Sequence, residues 1–586
     1  MNSFNSFSVL FFSISLFLTS CSGQKKTDVL PFTESFKKEL NDNKVKGATY
    51  AVFSADSVIF INSFGFTDAE NQTSVDANTL FNIGSVTKVF TAIAIMQLHE
   101  QGKLDIDKPV SDYIPDFAIK QRFPESSPIT IRSVLTHHAG LPGDYSKDKF
   151  AENPDDFHII LQYLNTQSTC FPVNKIHSYS NLGYTLLGIV VERVSGETYE
   201  NYIKTHIFEP AGMKTAGIYK TYEAGKSHSN GFDANGEFHI ELPLIDIPAG
   251  SIYASLTDMI KFGQAMLNKN SQLLSEQTKS LMFEVQNMNI ALDLRNRVAI
   301  CWRISNKATE LGRIYEHGGA TMYQRADFSI APDAGLGTVM LSNSYNGVQN
   351  AWRLKEIFMV DFAKKNHLKI EKNSMPLKQV TLANHAQKNI QHFAGWYATY
   401  GMVCKFEIDH DFLKTEIQGN SFYLTPHETD AYVPAKRILG FMAKSKSRYF
   451  FMEEIGGEKL FIESTPWGSL VIIGQKFSPM PLSQKWKNAV GKYVELDHYP
   501  NNPPMIFSVE LSEDNGLMLL RFKYNEAFYA QPVETALQPI DESTAYIAGL
   551  GRNGGEQVKL DFDKEKQQTM LSFQGLKFHL TLNSGN

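Results

Sequence analysis

Cysteine is scarce in this sequence, with four in 586 residues. Cys21 lies near the N-terminus, and Cys170, Cys301 and Cys404 are far apart with no C-x-x-C pair among them. That spacing argues against a zinc site or a dithiol redox motif. Three remaining cysteines permit one internal disulfide at most, and the expectation is buried thiols. A surplus of positive charge is lacking too. The net charge is −6 and no long basic run occurs, which excludes the footprint of a nucleic-acid binder. Heptads, collagen-like triplets and low-complexity tracts are absent. The apolar run Val9–Leu18 is shorter than the roughly 20 residues that span a bilayer.

That run fits the core of a secretory signal. It leads into Leu18-Thr19-Ser20-Cys21, which resembles the bacterial lipoprotein cleavage box. The resemblance implies a signal peptide over residues 1–21, a lipid on Cys21 and a polar tether over residues 22–30. The chain would then sit in the bacterial cell envelope, anchored to the membrane and facing the periplasm. One departure is plain: MNSFNSFS carries no Lys or Arg. Ordinary cleavage releasing a soluble protein is the alternative.

What is present is an ordinary globular composition, 42% apolar and 20% charged. At about 100–200 residues per domain, two to four domains are expected. The first large region, residues 31–370, mixes helices and strands. Phe32 to Asn41 reads as a helix, and Ala48 to Phe53 and Ser57 to Phe66 read as paired strands turning at Ala55-Asp56. A helix from about Ser85 to Gln101 has apolar residues on nearly every side, so it should be central, with Gly102 as its C-cap. Beyond about Asn373 short alternating segments take over. Gly395-Trp396-Tyr397 and Gly491-Lys492-Tyr493 each open a strand set. We read two β-barrel-like modules, residues 385–480 and 486–586. Trp396, Trp467 and Trp486 are expected in their cores.

Ser85-Val86-Thr87-Lys88 is a Ser-x-x-Lys at the mouth of the central helix. Residues i and i+3 share a helix face, so the amine reaches the hydroxyl. Unpaired N–H groups at the helix start favour developing negative charge. A serine hydroxyl needs such a base to become a nucleophile. Ser22/Lys25, Ser35/Lys38 and Ser146/Lys149 share the spacing but lie in polar, exposed-looking sequence. Tyr179-Ser180-Asn181 precedes a second apolar helix, unlike Tyr163/Asn165 and Tyr199/Asn201. His317-Gly318-Gly319 lies ahead of the strand Gly337 to Leu341, and its glycines allow close approach to a strand edge.

In this order the three motifs resemble the serine β-lactamase and penicillin-binding-protein superfamily, in particular its class C-like branch. Linkers such as Gln101-Gly102-Lys103-Leu104-Asp105, Phe208-Glu209-Pro210-Ala211-Gly212-Met213 and Pro248-Ala249-Gly250 are similar to that family as well. The resemblance implies an α/β (α+β) transpeptidase-like domain with an antiparallel sheet. It implies an acyl-enzyme on Ser85, with proton transfer shared between Lys88 and Tyr179. Either could be the acylation base, and Tyr179 is the better candidate for activating the deacylating water. Asn181 would hold Lys88 or the substrate amide. The N–H groups of Ser85 and of Ala320, next to Gly319, would bind the oxyanion. No cofactor and no metal is implied, and the partner is a small-molecule or peptide substrate.

Two departures bear on substrate. Typical β-lactamases have Lys where this chain has His317, and Ser-Asp-Asn is missing, which argues against class A. An imidazole is only partly charged near neutrality, so it is a weaker clamp for a carboxylate, and its protonation at low pH should strengthen that clamp. His at this position resembles the DD-peptidase, D-aminopeptidase and esterase branches. His137 and His138 are expected to be structural. The leading reading is therefore an exported hydrolase of amide or ester bonds, with D-amino-acid peptides as candidate substrates. A carboxylesterase or weak β-lactamase, and a binding protein without turnover, remain the alternatives. Mass spectrometry of the mature chain should find Cys21 first and lipidated; an unmodified terminus elsewhere would remove the anchor.

Overall fold

The computed structural model describes residues 30–581 apart from 69–72, 220–227, 306–310, 348–358, 360, 366–381, 383–389, 418, 428–430, 439–440, 445–447, 466–468, 497–503 and 526–530. The expected export signal, Cys21, most of the tether and Trp467 lie outside the described residues.

Helix α1 (Leu30–Asp42) turns Phe36 and Leu40 onto Tyr50 and Phe60 of the first two strands. Those strands are β1 (Gly47–Ser54), buried almost throughout, and β2 (Val58–Gly65), a half-exposed edge. The burial difference follows from sheet position. The antiparallel sheet is completed by β3 (Arg297–Val298), β4 (Arg303–Ile304), β5 (Tyr315–Ala320), β6 (Arg325–Ala331) and β7 (Leu336–Ser342), in the order β2-β1-β7-β6-β5-β4-β3. One row of cross-strand partners runs Ala51, Val339, Phe328, His317. Partners in a row share a face of the sheet. His317 is thereby set on the same face as the core residue Phe328, which packs on Phe262 of a covering helix.

Three helices matter for the site: α2 (Thr87–Glu100), α3 (Asn181–Ser195) and α4 (Leu256–Leu267). Every α2 residue from Thr87 to Leu98 is buried, as its all-round apolar pattern requires. The helix starts two residues later than the sequence suggests, because Gly84–Val86 form a single 3-10 turn first. α3 starts on Ser180, whose hydroxyl accepts from the Gly183 N–H at 2.9 Å, and stops at Gly196 in the left-handed region.

The C-terminal region is two barrels. In the first, β8 (Gly395–Thr399), β9 (Met402–Asp409), β10 (Phe412–Ile417), β11 (Asn420–Pro426), β12 (Tyr432–Ile438), β13 (Phe441–Lys444), β14 (Tyr449–Ile455), β15 (Glu458–Ser464) and β16 (Leu470–Phe477) follow in chain order. Pairing of β11 with β12 closes an eight-strand ring, and β13 hangs on β12 as a hairpin. The second is a closed barrel of β17 (Gly491–Glu495), β18 (Ile506–Asp514), β19 (Leu517–Tyr524), β20 (Val533–Pro539), β21 (Thr544–Ile547), β22 (Gln557–Asp563), β23 (Gln568–Phe573) and β24 (Leu576–Leu580). The repeated Gly-x-Tyr has one structural meaning in both. Each tyrosine is buried and donates to a carbonyl four residues back, Tyr397 to Phe393 at 3.0 Å and Tyr493 to Ala489 at 2.6 Å.

Trp486 is fully buried in the second barrel, whereas Trp396 is half-buried where the barrels meet, against Ala398, Leu517 and Ala548. A second apolar junction joins all three units: Phe171 and Leu292 of the first region, Leu460 and Ile462 of the first barrel, and Leu550 of the second. Cys170, Cys301 and Cys404 are buried free thiols. Among the described residues no helix is long and apolar enough to cross a membrane.

Candidate active site

Ser85 sits where the start of α2 meets the end of β5. Gly84 has φ +50°, and a Cβ there would lie 2.6 Å from the Ala320 nitrogen. A Cβ on Gly319 would lie 1.9 Å from the Ile83 carbonyl oxygen. Only glycine at both positions lets strand and helix start come this close, which brings the backbone of Ser85 and Ala320 to one place.

One turn along, Lys88 is completely buried. Its Nζ lies 2.7 Å from Asn181 Oδ1, 2.7 Å from the Ala249 carbonyl oxygen and 3.1 Å from Ser85 Oγ. Two of these atoms can only accept; the third is a hydroxyl that can also donate. An ammonium can donate to all three; a neutral amine keeps the bonds to Asn181 and Ala249 and has its lone pair left for the Ser85 hydroxyl. Burial, reinforced by the positive charges of Arg552 and Lys149, drives the Lys88 ammonium down to about 7 against the opposing pull of Asp246. Tyr179 stands beside Ser85, and its ring centroid is 4.9 Å from the amine. The same burial pushes its phenol well above the usual range.

Asn181 opens α3, and its Nδ2 donates to Asp144 Oδ1 at 2.6 Å. Asp144 is buried, yet Arg552 and Lys149 outweigh the desolvation and hold its carboxyl far below the ordinary value. Arg552 Nη2 reaches Asp144 Oδ2 at 2.7 Å. Lys149 bonds Asp144 and stands 3.4 Å from the buried Asp246.

His317 accompanies the cluster on the sheet side. Its Nδ1 lies 2.8 Å from the Gly318 carbonyl oxygen, and burial together with Lys88 pushes its imidazole down to about 3. That direction moves the expected low-pH strengthening of this half-buried residue to more acid solution. His138 is a structural histidine, 2.8 Å from Asp293. His137 accepts from the Ser180 N–H at 3.1 Å and packs on the Tyr179 ring. His137 also lines the cleft.

Ser85, Lys88, Tyr179, Asn181, His317, Gly319 and Ala320 are thus brought together. Asp144, Lys149, Asp246 and Arg552 were not foreseen. Ser146/Lys149 lies in exposed-looking sequence, but both residues are buried: Ser146 bonds Gln574 and Lys149 turns to Asp144. Hydrophobic neighbours on either side, Tyr145 and Phe150, were the available signal. The cleft above Ser85 is about 1160 Å³, and both barrels contribute to its walls, through Thr465, Ser469 and Val471 of the first and Arg552 of the second. Asp233, Glu237 and His239 cluster on a hairpin, where Asp233 is engaged by the N–H groups of its own turn.

The family model described as Beta-lactamase matches residues 32–356. A putative penicillin-binding protein PbpX of Bacillus subtilis is 37% identical over 226 residues, 38% of this chain and 54% of that protein. Penicillin-binding protein 4* of the same organism is 27% identical over 285 residues, 45% of this chain and 60% of its own. The chain thus spans little more than half the length of these relatives. Among solved structures, SurE with D-Leu matches with a TM-score of 0.54 at 20% identity, over 77% of this chain and 100% of that one. An octameric penicillin-binding-protein homologue from Pyrococcus abyssi matches with 0.50 at 18%, over 94% and 100%. At such identities the likeness concerns the fold, and its reach takes in the barrels. The family model alone spans more than half of the sequence and encloses the whole Ser85 cluster apart from Arg552, and on that ground the chain belongs to the Beta-lactamase family.

Proposed function

We propose that this chain is an exported serine hydrolase that cleaves amide or ester bonds through an acyl-enzyme on Ser85. The observation that carries the reading is the buried Lys88 amine, held by two acceptors and aimed at Ser85 Oγ. Above about pH 7 this amine is neutral and can take the serine proton. Ser85 Oγ then attacks the carbonyl carbon, and the N–H groups of Ser85 and Ala320 take the oxyanion. Tyr179 stays protonated, so it serves as a relay: it gives its proton to the leaving group and receives one from the Lys88 ammonium. In the second half Lys88, through Tyr179, takes a proton from the water that attacks the acyl carbonyl, and returns it to Ser85 Oγ as the acyl bond breaks, leaving the neutral amine and free serine. This shifts the base from Tyr179, favoured on sequence for deacylation, to Lys88.

Peptides containing D-amino acids are the proposed substrate class. Support comes from the penicillin-binding proteins among its relatives and from the neutral His317. The same neutrality favours small esters as a second reading. Export, and a lipid on Cys21, rest on the apolar run and cleavage box at the N-terminus.

Ser85→Ala should abolish labelling by an alkyl fluorophosphonate and lower kcat by roughly 10³ or more without unfolding the chain. Labelling mapped to another serine would unseat Ser85, and a wild type that neither labels nor turns over would leave a binding protein. For pH, Lys88 is depressed from 10.5 to about 7, so its active neutral form is present above 7 and lost below. A plot of log kcat/KM should rise with unit slope and level off near 7; a flat profile from about pH 5 to 9 would exclude Lys88 as the base. At His317, Lys in place of the imidazole adds a full charge worth about 1–2 kcal/mol. His317→Lys should therefore shift selectivity toward carboxylate-bearing substrates by roughly five- to thirtyfold. Efficient nitrocefin hydrolysis by the wild type, unchanged in His317→Ala, would remove this role.

A further inference from the structure

We infer that Arg552, delivered by the second barrel, is a positioning residue for Lys88 that acts through Asp144 and Asn181. The inference rests on the hydrolase reading above and adds a component to that site from outside the family's own domain. The contacts form a chain: Arg552 Nη2 to Asp144 Oδ2 at 2.7 Å, Asn181 Nδ2 to Asp144 Oδ1 at 2.6 Å, Lys88 Nζ to Asn181 Oδ1 at 2.7 Å, and Lys88 to Ser85 at 3.1 Å.

The weak point of such a chain is the carboxamide. Its oxygen and nitrogen ends are nearly the same shape but opposite in hydrogen bonding. Flipped, Asn181 would turn donors toward the amine, which would lose an acceptor and swing away from Ser85. An ionised Asp144 prevents the flip, because a carboxylate can only accept. Burial opposes that ionisation, so Asp144 needs cations beside it. Lys149 supplies one but also faces Asp246, whereas Arg552 is bonded directly to the second oxygen. Its guanidinium carbon also lies 5.1 Å from the centroid of the Tyr179 ring, the same ring that faces Lys88.

The barrel loop that carries Arg552 is fastened on several sides. Glu556 Oε1 accepts from the Gly143 N–H at 2.7 Å, and the Gly551 carbonyl accepts from Ser178 Oγ at 3.3 Å. Arg122 donates to the Gly555 carbonyl at 3.1 Å. A Cβ on Gly143 would stand 2.3 Å from Asn553 Oδ1, so the two loops meet backbone to side chain without slack. These contacts fix the segment that bears Asp144 in register with Arg552.

The test uses the full-length chain, with the rate of fluorophosphonate labelling at Ser85 and steady-state hydrolysis of p-nitrophenyl acetate as readouts. Arg552→Ala should slow labelling and kcat by about ten- to a hundredfold while KM moves by less than about threefold. Arg552→Lys, which keeps the charge, should be intermediate. Added methylguanidinium should restore part of the rate to Arg552→Ala but none to Asp144→Asn. A wild type that does not label removes the hydrolase reading and this inference with it. A labelled wild type with Arg552→Ala within about twofold of it removes the inference alone. So does a loss that neither Arg552→Lys nor methylguanidinium recovers, since that would mark a displaced barrel.

Discussion

Taking one ammonium group out of water sets the terms for the rest of this structure. Lys88 has no exposed surface, and a lysine so placed is stable only if its hydrogens meet acceptors or its charge is given up. The fold does both. Acceptors come from the first residue of α3 and from the carbonyl of Ala249, and the apolar sides of α2 exclude solvent around them. The same exclusion acts with opposite sign on a phenol. It lowers the cation Lys88 and raises the acid Tyr179, so one cause moves the proton affinities of two neighbouring groups in opposite directions.

A neutral amine still needs a fixed direction, and that is supplied by charge one layer out. Asp144, Lys149 and Asp246 are buried, and Arg552, exposed on its far side, completes with them a set of two carboxylates and two cations. Removing one member of such a set leaves an uncompensated charge, so these groups hold one another in place more than they add net stability. The three units share the apolar junction around Leu460, Leu550 and Phe171. With that junction and the loop contacts, the second barrel is held against the cleft closely enough for a side chain of that barrel to matter to Ser85.

How much of this could be seen in the sequence depends on distance along the chain. Ser85 and Lys88 are three residues apart on a helix, and the helix shows in its composition. The glycines at 84 and 319 stand next to the residues whose approach they permit. The partnership of Arg552 with Asp144 spans 408 positions and leaves no periodic trace. Lys149 reads as exposed because it is charged and lies in polar sequence, whereas its burial is decided by what folds over it. Ala249 was visible only as part of a linker, since a carbonyl carries no side-chain signature. In the barrels, the change to short alternating segments and the two Gly-x-Tyr openings were legible, though not every alternating strand, Leu576–Leu580 among them, stands out. β12 was not legible, because Pro434 interrupts its pattern while still fitting the barrel.

The arrangement also separates two tasks that a single domain would have to combine. In the proposed hydrolysis, bond cleavage draws on backbone and side chains fixed by the core of residues 32–356, where a shift of about an ångström is costly. The far walls of the cleft come from Thr465, Ser469 and Val471 on one barrel and Arg552 on the other. Three of these four barely concern the proton path and can vary with the substrate. Arg552 belongs to both tasks: it lines the cleft and it steadies Asp144. Any change of substrate preference made through Arg552 therefore acts on Lys88 as well, which ties the choice of substrate to the nucleophile at this one point of the wall.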